Sequence, residues 1–231
     1  MSERLPVPGV PGTWVDVVRH PRAKRLTLRV SQIDGTIRMT LPKRAHLRAA
    51  KSFLADRANW IVDQQEKFSP PILVEFGATL PIEGVEHLIA QDPDALSIQQ
   101  GKGTLQLPRK RGAVGPRIAA WLKLLARDRL SERCAHHAAQ LDRSYSALKL
   151  RDTRSRWGSC TSDGNLMFNW RLILAPSNVL DYVSAHEVAH LVEMNHSTAF
   201  WQVVARLMPD YAEHRDWLRH HGTTLHRYQF T

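Results

Sequence analysis

The sequence predicts an α+β protein, β-rich in its first half and helical in its second. Three observations carry this. Short runs that alternate apolar and polar residues, punctuated by glycine and proline, fill most of the first 110 residues. Apolar residues at steps of three and four dominate the remainder. One of these helical stretches contains the run His186-Glu187-Val188-Ala189-His190.

In chain order, Trp14 to Val18 and Arg25 to Val30 alternate like strands. Thr36 to Leu41 follows the Asp34-Gly35 turn signal and ends at Pro42. Ala45 to Phe68 reads as one amphipathic helix, with Leu47, Ala50, Leu54, Ala58 and Ile61 on one side and Pro70-Pro71 as its stop. Ile72 to Leu107 reads as short strands with turns near Gly77, Asp92-Pro93-Asp94 and Gly101-Lys102-Gly103. The change of pattern at Pro108–Gly112 divides the chain into a β-rich N-terminal region with one helix, residues 1–110, and a second domain, residues 111–231. There, Ala113 to Leu141 is a long helix backing a small sheet of Ala147–Arg151 and Asn165–Trp170, with Trp157 and Trp170 burying large rings. The next helix starts at Pro176-Ser177-Asn178, with Ser177 or Asn178 as its cap, and spans Val179 to Val192. Asn195 suits a left-handed turn after it. Ser197 or Thr198 caps a helix through Phe200, Trp201, Val204 and Leu207, and Asp210 with Glu213 opens the last one.

Two histidines four apart stand on one helix face, one turn apart, where both imidazoles reach one Zn²⁺. His196, six positions beyond His190, supplies the third protein ligand usual for a catalytic site with an open position for water. Glu187 lies about 100° round from His186, which places it beside the metal as a general base. Reaching His196 requires the helix to stop. Were it to continue, Glu193 would take the ligand stripe at i+7, and it is the competing ligand. Cys160 is a third candidate, read as a small buried residue because three histidines suffice. Tyr211, His214 and Arg215 are candidate donors to an oxyanion; for His214 and Arg215 the simpler reading is a solvated helix surface.

Arg156-Trp157-Gly158-Ser159-Cys160, the run Asn169-Trp170-Arg171-Leu172-Ile173, and H-E-x-x-H followed by Asn195-His196-Ser197 and Phe200-Trp201 together resemble the YgjP-like metallopeptidase family. The likeness is clearest over residues 148–218. That family is described as a minimal zincin related to SprT-like proteases. The resemblance implies a zincin-like catalytic region, zinc held by His186, His190 and His196, and catalysis by Glu187. Glu193 stands where metzincins need glycine, which argues against that neighbouring group.

Composition sets the remaining expectations. No stretch approaches the roughly 20 apolar residues of a membrane span, and prolines interrupt the start of the chain, which does not read as a signal peptide. Two cysteines, Cys134 and Cys160, are too few for a disulfide framework. A cytoplasmic enzyme acting on a peptide or protein substrate is expected, the substrate lying extended along Asn165–Phe168. The net charge of +10, clustered at 19–25, at Arg109-Lys110-Arg111 and at Arg151, Arg154 and Arg156, implies weak, sequence-independent nucleic-acid binding at most, unless the protein is a DNA-associated protease. A non-catalytic metal-binding module is the remaining alternative, and the retained Glu187 argues against it.

Overall fold

The computed structural model describes residues 3–31, 33–66, 68, 70–109 and 112–231. It is an α+β fold in two compact units, Met1–Pro71 and Ile72–Thr231. The division expected near residue 110 therefore falls inside the second unit. The reason is burial: Leu80, Ile82, Ile89, Leu105 and Leu107 share one core with Ile118 and Leu122 of the long helix that follows them. Alternation identified these strands but not the partner of their apolar face. Of the basic run at 109–111, Lys110 and Arg111 lie outside the described residues.

The first unit holds β1 (Glu3–Pro6), β2 (Trp14–His20), β3 (Thr27–Val30), β4 (Ile37–Pro42), α1 (Leu47–Asp56) and α2 (Ala58–Glu66). Its sheet has the order β1-β2-β4-β3, with β2 and β4 parallel and the other pairs antiparallel. One sheet face, with Val15, Val17, Ile37, Met39 and Leu41, packs on Ala50, Leu54 and Ile61 of the helices. The single helix expected over 45–68 is two, because Arg57 leaves helical geometry (φ −109°, ψ 8°) and its N–H bonds the Leu54 carbonyl at 3.2 Å. Leu54 and Ile61 are both fully buried across the break, so apolar spacing alone does not reveal it.

The second unit begins with β5 (Ile72–Leu73), β6 (Thr79–Ile82), β7 (Val85–Asp92), β8 (Gln99–Gln100) and β9 (Thr104–Pro108). The last four form a sheet of order β6-β7-β9-β8. α3 (Val114–Gln140) runs through the core, burying Ile118, Leu122, Ala126, Leu130 and Cys134. A second small sheet follows, from β10 (Ala147–Arg151), β11 (Gly158–Cys160) and β12 (Asn165–Asn169), in the order β10-β12-β11. A 3₁₀ turn, Trp170–Leu174, leads into α4 (Ser177–Ala189), α5 (Thr198–Leu207) and α6 (Tyr211–His221). A second 3₁₀ turn, Gly222–His226, and β13 (Tyr228–Gln229), which pairs with β5, close the unit. Among the described residues no helix is long and apolar enough to cross a membrane.

Arg171 ties the C-terminal segment to the loop before β11. Its guanidinium donates to Leu225 and Tyr228 carbonyls at 3.2 and 2.8 Å and grips the Asp152 carboxylate at 2.8 and 3.2 Å. His226, beside this clamp, faces Trp157 with ring centroids 5.1 Å apart. Burial, helped by the Arg171 charge, pushes its imidazole down to about 4. A base whose folded pKa is depressed contributes stability above its unfolded value, about 6.5, and loses it as pH falls toward 4. Replacing His226 by Gln removes that titration. The melting temperature of the metal-free parent, relative to His226→Gln, should fall between pH 6.5 and 4 and stay level above pH 7. A level difference across the whole range would contradict the burial of a neutral ring.

Candidate metal centre

The α4 segment puts His186 and His190 on one face, with ring centroids 5.2 Å apart. The expected side-chain cap at Ser177 or Asn178 is absent: the helix starts at Ser177, and the Pro176 carbonyl takes the first bonds, from Val179 and Leu180. The helix stops at Ala189, with His190 as its C-terminal cap residue. The N–H groups of Leu191, Val192 and Glu193 fold back onto the Val188 and Ala189 carbonyls at 2.9 to 3.0 Å. Asn195 is not left-handed, as the sequence suggested; its side chain instead accepts from Ser197 N–H at 3.0 Å in a local turn. Ser197 caps α5 as expected, accepting from Phe200 N–H.

This turn returns His196 to the helix face. His186 Nε2 and His196 Nε2 lie 3.1 Å apart, and one ligand nitrogen from each of the three histidines lies within 4.8 Å of the others. Phe200, fully buried, underlies all three rings at centroid distances of 4.4 to 4.9 Å. Glu193 does not join the group. Because the helix has ended, its carboxylate leaves the i+7 stripe, and its main-chain carbonyl instead accepts from His190 Nδ1 at 2.9 Å. That bond fixes the tautomer and leaves Nε2 as the free acceptor. His186 Nδ1 is buried without a hydrogen-bond partner among the described residues, its ring held by contact with Tyr182, Phe200 and Trp201. Burial pushes the His186 pKa down to about 3, with His190, His196 and Arg215 adding to the effect; burial also lowers that of His190. The three imidazole nitrogens lie close enough together to share one metal ion.

Glu187 is buried on the adjoining face of α4 against β11. A Cβ at Gly158 would sit 2.6 and 2.7 Å from Glu187 Cγ and Cδ, so only glycine lets the strand come this close. Burial pushes the Glu187 carboxyl up to about 8, opposed by the Arg156 charge. Strand β11 is three residues long, too short for alternation to reveal. Trp157, just before it, lies against Gly222, where a Cβ would meet the indole at 3.1 Å, and against His226. Neither Gly222 nor His226 carries a signal in the sequence that links it to the site.

The substrate strand expected at Asn165–Phe168 is not available. β12 is the central strand, parallel to β10 on one side and antiparallel to β11 on the other, so its main chain is already paired. β11 forms the edge. The bonds Asn169 N–H to Trp157 carbonyl, 2.8 Å, and Thr161 N–H to Asn165 carbonyl, 3.1 Å, mark the odd positions as those bonded to β12. By alternation, the N–H and carbonyl groups of Gly158 and Cys160 turn to the open edge. Cys160 is half-buried and outside the histidine group. His214 is buried and bonded to Asp210 at 3.2 Å, not solvated as expected, while Arg215 is exposed and lies 4.5 Å over Trp201. Tyr211 stacks on Trp201, with ring centroids 5.4 Å apart.

The model of the YgjP-like, metallopeptidase-domain family matches residues 24–221. The chain belongs to this family. It thus carries a metallopeptidase domain, and the histidine group is one that a metal ion could occupy. None of the curated proteins compared with it matches. Among solved structures, the metallopeptidase zymogen of Pyrococcus abyssi abylysin is 18% identical, with a TM-score of 0.37, covering 39% of this chain and 92% of that one. A likeness that slight carries no argument.

The runs that carry the YgjP-like resemblance have physical work to do in the domain. Gly158 admits Glu187, and Trp157 pins the strand. Asn169, fully buried, accepts from Arg171 N–H at 3.0 Å and donates to the Thr153 carbonyl at 2.7 Å, which anchors the loop entering β11. Gly158→Ala should therefore displace the Glu187 carboxylate and lower the melting temperature. Overpacking of this kind typically costs about 1–3 kcal/mol. Metal uptake by the three histidines should persist, as read by elemental analysis. An alanine variant as stable as the parent would show that strand and helix are less closely packed than described.

Proposed function

We propose that this YgjP-like domain is a zinc-dependent peptidase in which His186, His190 and His196 hold the ion and Glu187 is the general base. The observation that carries the reading is the grouping of three imidazole nitrogens on and just beyond the helix that also buries Glu187 against β11, the edge strand of its sheet. Zinc, when bound, supplies a water of lowered pKa and a Lewis acid for the scissile carbonyl. The protein's own groups do the rest. His190 is oriented by the Glu193 carbonyl, and His186 by the aromatic rings around it. Burial holds the Glu187 carboxyl high, and a cation held by His186, His190 and His196 would favour its ionised form. Glu187 accepts the proton of the attacking water on a carboxylate oxygen and returns it to the leaving amine.

An extended peptide fits the open edge of β11, pairing with the main chain of Gly158 and Cys160. A polar hollow of about 330 Å³, lined by His190 with Arg143, Ser146, Thr161 and Ser162 among others, has room for a polar side chain of the substrate. A non-catalytic metal module is the weaker reading. A carboxylate buried beside the ligands is costly, and a purely structural ion has no use for it. Two unpaired thiols, Cys134 and Cys160, accord with a reducing, cytoplasmic setting.

Glu187→Gln keeps the shape of the side chain and removes the proton acceptor. It should retain one zinc per chain and unchanged melting, with peptide cleavage lowered by about a hundredfold or more. Activity would be assayed on a mixed peptide library whose products are identified by mass spectrometry. A fully active, zinc-loaded Gln variant would assign the base elsewhere. In the same preparations, His196→Ala should weaken zinc in a chelator competition while Glu193→Ala leaves it nearly unchanged. The opposite order would mean that the ligand set is wrong.

A further inference from the structure

The positive charge is unevenly placed. Residues 1–71 contain thirteen Lys or Arg against six Asp or Glu, so this unit carries +7 of the net +10. Its sheet buries one face under the helices and leaves the other exposed. Across that outer face the register aligns Arg4, Asp16, Arg38 and Arg29 in one row. Asp16 is held by Arg4 at 3.1 Å. Arg38 and Arg29 stand directly opposite each other, both exposed, a like-charge pairing that destabilises a sheet unless an anion lies between. An ordinary solvated surface intersperses the two signs.

The adjoining row carries Trp14, 48% exposed, with the Arg4 guanidinium 6.0 Å from its ring. Two hollows share this indole as a wall. One, about 260 Å³, is formed with Pro6, Val7, Val10 and Pro11; the other, about 220 Å³, with Arg4, Asp16 and Thr36. A sheet face with an exposed aromatic ring, an apolar hollow beside it and, one row away, arginines that make no ion pair among the described residues has the ingredients for single-stranded nucleic acid. Bases stack on the ring and phosphates meet the guanidinium groups. A duplex offers its bases only inside grooves and gains nothing from a stacking ring on the outside of a sheet. We infer that the outer face of the N-terminal sheet binds single-stranded nucleic acid, with Trp14 stacking a base and Arg29 and Arg38 holding adjacent phosphates. This inference does not depend on the peptidase reading.

The test is fluorescence anisotropy of the full-length chain with fluorescein-labelled oligo(dT), oligo(U) and a DNA duplex, each of about twelve nucleotides. At about 50 mM salt, one or both single strands should bind more tightly than the duplex, and whichever is preferred distinguishes DNA from RNA as the ligand. Trp14→Ala should weaken single-strand binding about tenfold or more. Arg29→Gln with Arg38→Gln should lower the slope of log affinity against log salt by about 1.4, the loss of two phosphate contacts on a single strand. Trp14→Ala should keep the parent's melting temperature, the double Gln variant should melt at the same temperature or higher because a like-charge pair is gone, and both should keep the parent's zinc content. No binding to either single strand at low salt would overturn the inference. So would duplex binding as tight as single-strand binding, or a loss of neither affinity nor salt slope in the two variants.

Discussion

The closeness of β11 to α4 governs the candidate site. Glu187 is buried at the meeting of strand and helix, and the missing side chain of Gly158 is what lets the two approach. Were the strand to stand off, the carboxylate would be solvated, its pKa would return toward the ordinary range, and the edge that can pair with a peptide would move away from the histidines. Trp157 against Gly222 and His226, Asn169 on the Thr153 carbonyl, and Arg171 on Asp152, Leu225 and Tyr228 all hold the segment around this contact. Residues far apart in sequence thus serve one local spacing.

The second constraint is the end of α4. A helix that ran on past residue 190 would present Glu193 to the face of His186 and His190 and carry His196 away. The turn at 190–197 reverses this, and the same residue that loses its ligand position supplies the carbonyl that orients His190. Phe200 then fills the space beneath the rings, so the three histidines rest on a packed aromatic surface. Rigid support of this kind sets ligand direction, which local sequence spacing cannot do by itself.

The histidine triad and its helix were legible because H-E-x-x-H encodes a one-turn spacing, and helical spacing is a local property. The long helix α3 and strands β10 and β12 were legible for the same reason. What the sequence did not disclose depends on contacts between distant segments. β11 is too short to show alternation, so the sequence points to Asn165–Phe168 for a bound peptide although that strand lies in the middle of the sheet. The break at Arg57 preserves apolar spacing and so leaves no trace in it. The boundary between units moved from about residue 110 to Pro71 because the partner of an apolar strand face is not written in the strand. His214 resembled a surface residue until Asp210 and the core enclosed it. The charge is visible in the sequence, but the alignment of Arg4, Arg38 and Arg29 in one row across a sheet face follows only from the register of β1 to β4.

The most direct test of the central claim is X-ray absorption at the zinc edge on the reconstituted, full-length protein. Three imidazole nitrogens at about 2.0–2.1 Å and one oxygen from water are expected, at one zinc per chain. His196→Ala should remove one imidazole from that shell. A sulfur ligand at about 2.3 Å, a spectrum unchanged by His196→Ala, or the absence of stoichiometric metal would contradict the account.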